Sequence, residues 1–185
     1  MTLMLEREVK LRFNTPEEAR TAILAAGATP LRCRRFQEDA LLDTEDEELR
    51  RRRCVLRVRT EAGKSLLTFK GPVQPALMKI RDEFETVVAD GEVLKRVLEE
   101  LGLHVWFRYE KYREEYSAPE VTIALDETPV GTFVEIEGGE QGIHEMTRAL
   151  GRSTADFILD SYRGLFIQHR ERHGTSSVNM VFDEE

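Results

Sequence analysis

The sequence predicts an α+β domain whose antiparallel strands can close on themselves. Three observations carry that prediction. Seven separate segments alternate charged with apolar residues at every second position, the period of a strand with two unlike faces. Strand-like runs follow one another across short turns, a spacing that lets a sheet close and remove its exposed edges. Between them lie stretches with helical spacing and recognisable caps, so helices are interspersed rather than segregated.

The elements can be taken in order. Leu3 to Phe13 alternates as a strand, and Asn14 with Thr15-Pro16-Glu17-Glu18 reads as a helix start. Asn or Thr can cap there, proline suits the first turn, and acids favour the positive helix end. That helix runs to about Ala26 and stops at Gly27. Pro30 to Asp43 reads as extended but less regular, and residues 44–53 as a loop or strand edge. Strands fit 54–60, 65–71 and 78–89, the first two joined by a turn at Ala62-Gly63. Asp90-Gly91 opens a helix over Val93 to Leu101, ended by Gly102. Further strands fit 104–117, 120–126 and 131–138. Helices fit 141–150 and 155–170, the second capped by Ser153 or Thr154. Residues 1–174 form a single domain on this reading, and 175–185 a short tail without periodicity, expected to be mobile.

Composition narrows the function classes. A chain of 185 residues, 41% hydrophobic and 34% charged, is long enough to bury a core under a well-charged surface. The net charge of −8 argues against non-specific nucleic-acid or membrane binding. It leaves room for a small anion in a locally basic cleft. Cys33 and Cys54 have no metal spacing and read as buried free thiols. No apolar run reaches the length of a membrane span, and the N-terminus lacks a signal peptide's apolar stretch, so a cytoplasmic location is expected.

The chemistry lies in the alternating charges. They are Glu6, Glu8 and Lys10; Arg57 and Arg59; Lys70; Arg81, Glu83 and Glu85; Lys111 and Arg113; Asp126; Glu135 and Glu137. Seven are basic and seven acidic. Any one of these strands could be turning a charged face to water. Taken together they point elsewhere, because acids two positions apart recur at 6/8, 83/85 and 135/137. Such neighbours repel unless a cation lies between them or the site is very wet. Carboxylates suit magnesium or manganese, and lysine and arginine suit phosphate oxygens. The apolar side is interrupted by Arg7 and Asp82.

In this order, E-R-E-V-K, L-R-V-R, L-T-F-K-G, R-D-E-F-E, E-K-Y-R, L-D-E-T-P-V-G and V-E-I-E-G resemble the CYTH superfamily, the triphosphate tunnel enzymes, from about residue 3 to residue 165. The resemblance implies a closed tunnel of eight antiparallel strands with helices outside. It implies a triphosphate bound within, nucleoside or inorganic, and a requirement for Mg²⁺ or Mn²⁺. By resemblance Glu6, Glu8, Glu83, Glu85, Asp126, Glu135 and Glu137 hold metal, and Lys10, Arg57, Arg59, Lys70, Arg81, Lys111 and Arg113 bind phosphate. Overall likeness, including Q-E-D-A-L-L-D-T, leans toward class IV adenylyl cyclases, which form cyclic AMP and pyrophosphate from ATP. Hydrolysis of inorganic or thiamine triphosphate is the alternative, and binding of a nucleotide or polyphosphate without turnover a third reading. A second copy of the chain is a candidate partner; nucleic acid and membrane are not expected. Some triphosphatases activate water with a tyrosine near that segment, but this chain has none before Tyr109. Lys10 is then the candidate catalytic residue, provided neighbouring cations lower its pKa.

Weaker signals were weighed too. His169 and His173 lack the glutamate of a zinc-protease motif, and Lys70-Gly71-Pro72 lacks the glycines of a phosphate loop. Trp106 and Tyr109 could stack on a purine, though packing is the ordinary role. Arg50 to Arg53 could steer an anion into the tunnel, but the run reads more simply as a solvated loop.

Overall fold

The computed structural model describes residues 4–183. Among them, eight strands pair antiparallel: β1 (Met4–Phe13), β2 (Thr29–Thr44), β3 (Val55–Glu61), β4 (Lys64–Lys70), β5 (Lys79–Val88), β6 (Leu103–Ala118), β7 (Val121–Thr128) and β8 (Gly131–Gly138). They close into a barrel in the order β1-β5-β4-β3-β2-β6-β7-β8, and β8 returns to β1. Five helices lie around it: α1 (Pro16–Ala25), α2 (Glu48–Arg51), α3 (Gly91–Glu100), α4 (Glu140–Ala149) and α5 (Tyr162–His173). Leu3, the first residue of the expected opening strand, lies outside the described residues.

The barrel is built inside out. The outward residues Val9, Leu11, Ile123, Leu125, Val134 and Ile136 are buried against Ala19 and Ile23 of α1 and Ile143 and Met146 of α4. The main core is therefore outside the barrel wall, between strands and helices, and the inner face is left to polar groups. Local chemistry starts these helices as the sequence suggests. The Thr15 hydroxyl accepts from the Glu18 amide, and the Asp90 carboxylate from the amides of Glu92 and Val93. The β3–β4 turn uses Ala62 and Gly63, both at positive φ, the backbone that a two-residue hairpin requires.

A second apolar cluster closes one end. Tyr162, Leu165 and Phe166 of α5 pack on Leu41, Phe107, Tyr109 and Phe133, residues of the inward-facing register. The helix is thus a plug at that end of the tunnel.

Several expectations are corrected. Residues 48–51 form a helical turn, held because the Asp43 carboxylate accepts from the amides of Thr44, Leu49 and Arg50. The single helix expected over 155–170 is split: a 3₁₀ turn at Thr154–Asp156 is followed by an extended segment, and α5 begins afresh at Ser161, whose hydroxyl caps Gly164. In that segment Ile158 donates its amide to Lys10, covering the length of β1 that β5 does not reach. Within the described part of the tail, Met180 is anchored on the barrel. Met180, fully buried, exchanges backbone hydrogen bonds with Arg108 and Glu110 along the stretch of β6 that β7 leaves free. Cys33 is exposed; only Cys54 is buried.

Gly138, the last residue of V-E-I-E-G, sits at φ +151°, and a Cβ there would lie 2.1 Å from the Glu120 carbonyl oxygen. Gly138→Ala is therefore expected to cost roughly 2–3 kcal/mol from strain and crowding. A fall in Tm of several degrees in thermal unfolding checks it; an unchanged Tm contradicts it.

Candidate functional site

The barrel encloses a cavity of about 780 Å³, and strand register decides what lines it. Glu6 stands opposite Arg81, and Glu8 lies between Lys79 and Glu137. Lys10 faces Glu135, and Lys70 faces Glu83. Arg59 faces Asp39, and Arg113 faces Asp126. Directly opposed residues share a face, so the period-two pattern of each strand becomes one continuous charged wall. Thirteen of the fourteen expected residues line the cavity; Asp126 does not.

The charges are knitted in pairs. Glu6 binds Lys70 at 2.6 Å and Arg81 at 2.9 Å. Glu83 binds Lys70 at 2.8 Å, and Glu8 pairs with Lys79. Glu135 holds Lys10 at 2.8 Å and also Arg113. Glu85 accepts from the Thr68 hydroxyl at 2.8 Å and lies 3.4 Å from Arg57. Burial alone would push Glu6, Glu8, Glu83 and Glu135 up. For Glu135, Lys10 and Arg113 more than reverse that and hold it well below the usual carboxylate range; Lys79 does the same for Glu8.

The surroundings of two expected site residues bear on their roles. Asp126 was expected among the metal-holding carboxylates. It is completely buried and accepts from Lys111 at 2.9 Å, from both ends of the Arg113 fork, and from the Tyr162 hydroxyl at 2.6 Å. Its oxygens are spent on orienting cations. Lys10 was expected to have a lowered pKa. Burial does lower it, but Glu135 and Glu8 outweigh burial and raise it. In the unliganded tunnel the Glu135 and Glu8 carboxylates thus favour the charged form of Lys10. Lys111 is pushed down to about 8 by burial and then by Arg113, against Asp126 and Glu135, and Lys79 is lowered too, by burial first.

Residues not anticipated complete the wall. Asp39, fully buried, braces Arg59 at 2.9 Å and Arg57 at 3.4 Å. It sits two positions from Gln37, so alternation was present there, masked by reading Pro30–Asp43 as irregular. Lys79 lies two before Arg81 on the same face and carried the same signal. Tyr162 had none, since nothing local tells that a helix start faces the tunnel. Its ring lies under both Lys10 and Lys111, at 4.8 and 4.9 Å. Trp106 is not an open stacking platform, because Arg50 and Arg163 lie against its ring.

At one corner acids outnumber their partners. Glu137 has no cation within bonding distance among the described residues. Its carboxyl is pushed up to about 7, by burial first, then by Glu6, with Glu8 and Glu83 adding to it. No three acidic, histidine or cysteine groups among the described residues converge as a ready cage. The donor chemistry of this corner nonetheless fits a hard divalent cation, which takes few carboxylates and completes its shell with water and phosphate.

Comparison with known proteins agrees with this geometry. A family model described as the CYTH domain matches residues 4–162. A Methanocaldococcus jannaschii protein named "Putative adenylate cyclase MJ0240" is 27% identical over 148 residues, covering 80% of this chain and 84% of that protein. The solved structure of the Pyrococcus horikoshii protein PH1819 superposes with a TM-score of 0.77 at 26% identity, covering 89% of this chain and 99% of that one. A Hippeastrum protein, HpAC1, whose structure is described as an adenylyl cyclase candidate with a dominant triphosphatase activity, has a TM-score of 0.65 at 18% identity, covering 89% and 96% of the two chains.

Proposed function

Since the chain belongs to the CYTH domain family, we propose that its tunnel binds a triphosphate and cleaves it by attack of water with the help of a divalent cation. One observation carries the reading. The Nε of Arg57 is buried in the tunnel wall 3.4 Å from an Asp39 carboxylate oxygen, but makes no well-formed hydrogen bond to any described residue. A buried donor left unpaired costs about 1–3 kcal/mol, and a phosphate oxygen would satisfy it. Around it Lys10, Arg59, Lys111 and Arg113 face the same cavity, braced from behind by Asp39 and Asp126. Cations fixed before the substrate arrives favour the added charge of a phosphoryl-transfer transition state.

Glu137, with Glu6, Glu8 and Glu83, would hold magnesium or manganese. Such an ion neutralises phosphate charge and polarises the phosphorus–oxygen bond. Lys10 and Arg113, tied to Glu135, keep their protons and position the chain. Lys111 Nζ, lowered to about 8, can exchange a proton near neutral pH. Triphosphate affinity should accordingly fall as pH rises through about 8, because the free protein loses a positive charge there. Lys111→Arg should flatten that fall. Binding titrations at several pH values check it, and an identical profile in both proteins would count against the role.

Hydrolysis is preferred because the tunnel wall offers cations without an uncommitted base-reading set; Trp106 already carries two guanidinium groups. The second reading, cyclisation of ATP, is favoured by the name of the archaeal relative. Incubation with magnesium or manganese and either inorganic triphosphate or ATP, with chromatography of the products, separates the two. Orthophosphate and pyrophosphate from triphosphate support hydrolysis. Cyclic AMP and pyrophosphate from ATP would replace it with the cyclase. Turnover of neither would leave a binder.

A further inference from the structure

The helix that plugs one end of the tunnel has few fastenings of its own. α5 buries only Tyr162, Leu165 and Phe166, and no residue of its second half is buried. No backbone hydrogen bond runs from α5 to a strand among the described residues. Its one side-chain hydrogen bond to the barrel wall among them is from the Tyr162 hydroxyl to Asp126, at 2.6 Å. The helix ends at Gly174, whose φ of 68° turns the chain aside. An exposed run from Thr175 to Val178 then leads to β6. There the chain is tied down. Asn179 Oδ1 accepts from the Arg108 amide at 2.9 Å, and the Met180 amide donates to the Arg108 carbonyl at 3.0 Å. The Met180 carbonyl accepts from the Glu110 amide at 2.9 Å, and the Phe182 amide donates to the Glu110 carboxylate at 3.0 Å. Met180 is the only buried residue described after Gly174, and it joins the cluster that holds all three buried side chains of α5.

We infer that residues 178–182 are a strap that latches α5 over this end of the tunnel, with Met180 as the latch, and that the end opens when the strap lets go. Segments with few buried apolar contacts and hydrogen bonds near solvent open locally at low cost. One buried methionine holds this one, between Val178 at 67% exposure and Val181 at 37%. Its unbranched, flexible side chain suits a knob that leaves and re-enters a pocket. Tyr162 carries the effect inward, since its hydroxyl meets Asp126 and its ring lies under Lys10 and Lys111. Met180 touches none of these cations, so it is a positioning residue that acts through α5. The chain holds a reporter for the opening. Cys54 is buried and lines the cavity behind the plug, and its neighbour Val55 packs against the α5 cluster, whereas Cys33 is exposed.

The test is the rate at which a maleimide labels Cys54 in the full chain, with Cys33 as the fast internal reference and mass spectrometry separating the two. The proteins are wild type, Met180→Ala, Met180→Leu, Tyr162→Phe and the double variant of Met180→Ala with Tyr162→Phe. Met180→Ala is expected to label Cys54 at least about tenfold faster than wild type, because truncating a fully buried methionine shifts a local opening by at least that factor. Met180→Leu keeps the volume and should recover most of the protection. Urea well below the unfolding transition should leave the faster rate nearly unchanged, since lifting a plug exposes little surface. An unchanged rate in Met180→Ala, or one that climbs steeply with urea as global unfolding does, overturns the latch. Triphosphate affinity in magnesium-free buffer tests the positioning role, and this readout alone rests on the proposed triphosphate site. Met180→Ala and Tyr162→Phe should each weaken it, and the double variant should be no weaker than the weaker single one; additive losses would refute action through Tyr162. If wild type bound no triphosphate, the proposed function would fall, while the labelling rates would still decide the latch.

Discussion

Glu137→Gln is expected to lower metal-dependent turnover of triphosphate by about 100-fold or more, the scale of losing a group that orients a metal or stabilises a transition state. The fold should survive the change. Glu137 has no cationic partner to strand, and its neighbours Glu6, Glu8 and Glu83 repel it. The pH dependence gives an independent check. A carboxyl raised from its ordinary 4.5 to about 7 binds more protons in the folded chain than in the unfolded one between those values. Its contribution to stability therefore declines as pH rises across that window. Glutamine has no such dependence, so the variant's Tm should equal or exceed the wild type's at pH 8 and gain nothing at pH 5. Because Glu137 is open to tunnel water, the Tm gain should be small. Full turnover at unchanged magnesium concentration would sink the assignment of this corner to the metal.

Asp126→Ala should be the most destabilising change in the tunnel. The carboxylate has no access to solvent and receives Lys111, Arg113 and Tyr162. Its removal leaves two buried cations facing each other, and breaking a buried pair in this way costs about 3–5 kcal/mol. For a chain of this size that is roughly a 10 °C fall in Tm. Phosphate affinity should fall too, because the two cations lose their orientation. The sign with pH is opposite to that of Glu137. The Asp126 pKa is pushed up by burial but held below its ordinary value overall by Arg113 and then Lys111. Its stabilisation is present above the unfolded-state value and is lost as pH falls through the folded-state one. The gap between variant and wild type should thus narrow in acid. Thermal unfolding of both proteins from pH 8 down to about pH 2, through the ordinary aspartate value of about 3.9, measures this, and a fall of less than about 3 °C at pH 8 would mean that Asp126 is not a brace.

Much of the site was legible because it is periodic. Glu6, Glu8 and Lys10 declare a shared face through spacing alone, and the same holds for Arg81, Glu83 and Glu85 or Lys111 and Arg113. What escaped notice lacked that local signature, or had it in a segment read as irregular. Asp39 stands in alternation with Gln37, yet the arginines and the proline before it make the long β2 strand look irregular in sequence. Residues 48–51 read as loop since their helical turn depends on Asp43, outside the turn itself. The tail has no periodicity to announce a contact; Met180 within it is buried because β6 outruns β7 and leaves an edge to fill.

By itself the sequence determined the strands, which of their faces is charged, and therefore that fourteen ionisable groups must meet if the sheet closes. Alternation is a property of neighbours along the chain, and side-chain direction in a strand follows from it. Only the tertiary structure decided what each charge does. Register across strands brings Glu135 to Lys10 and leaves Glu137 without a partner; it sinks Asp126 behind Lys111 and Arg113. Whether a carboxylate holds a proton, a lysine or a metal depends on groups within a few ångströms and on how much water reaches it. Both are fixed by contacts between residues distant in the chain, such as Glu6 with Lys70 or Tyr162 with Asp126.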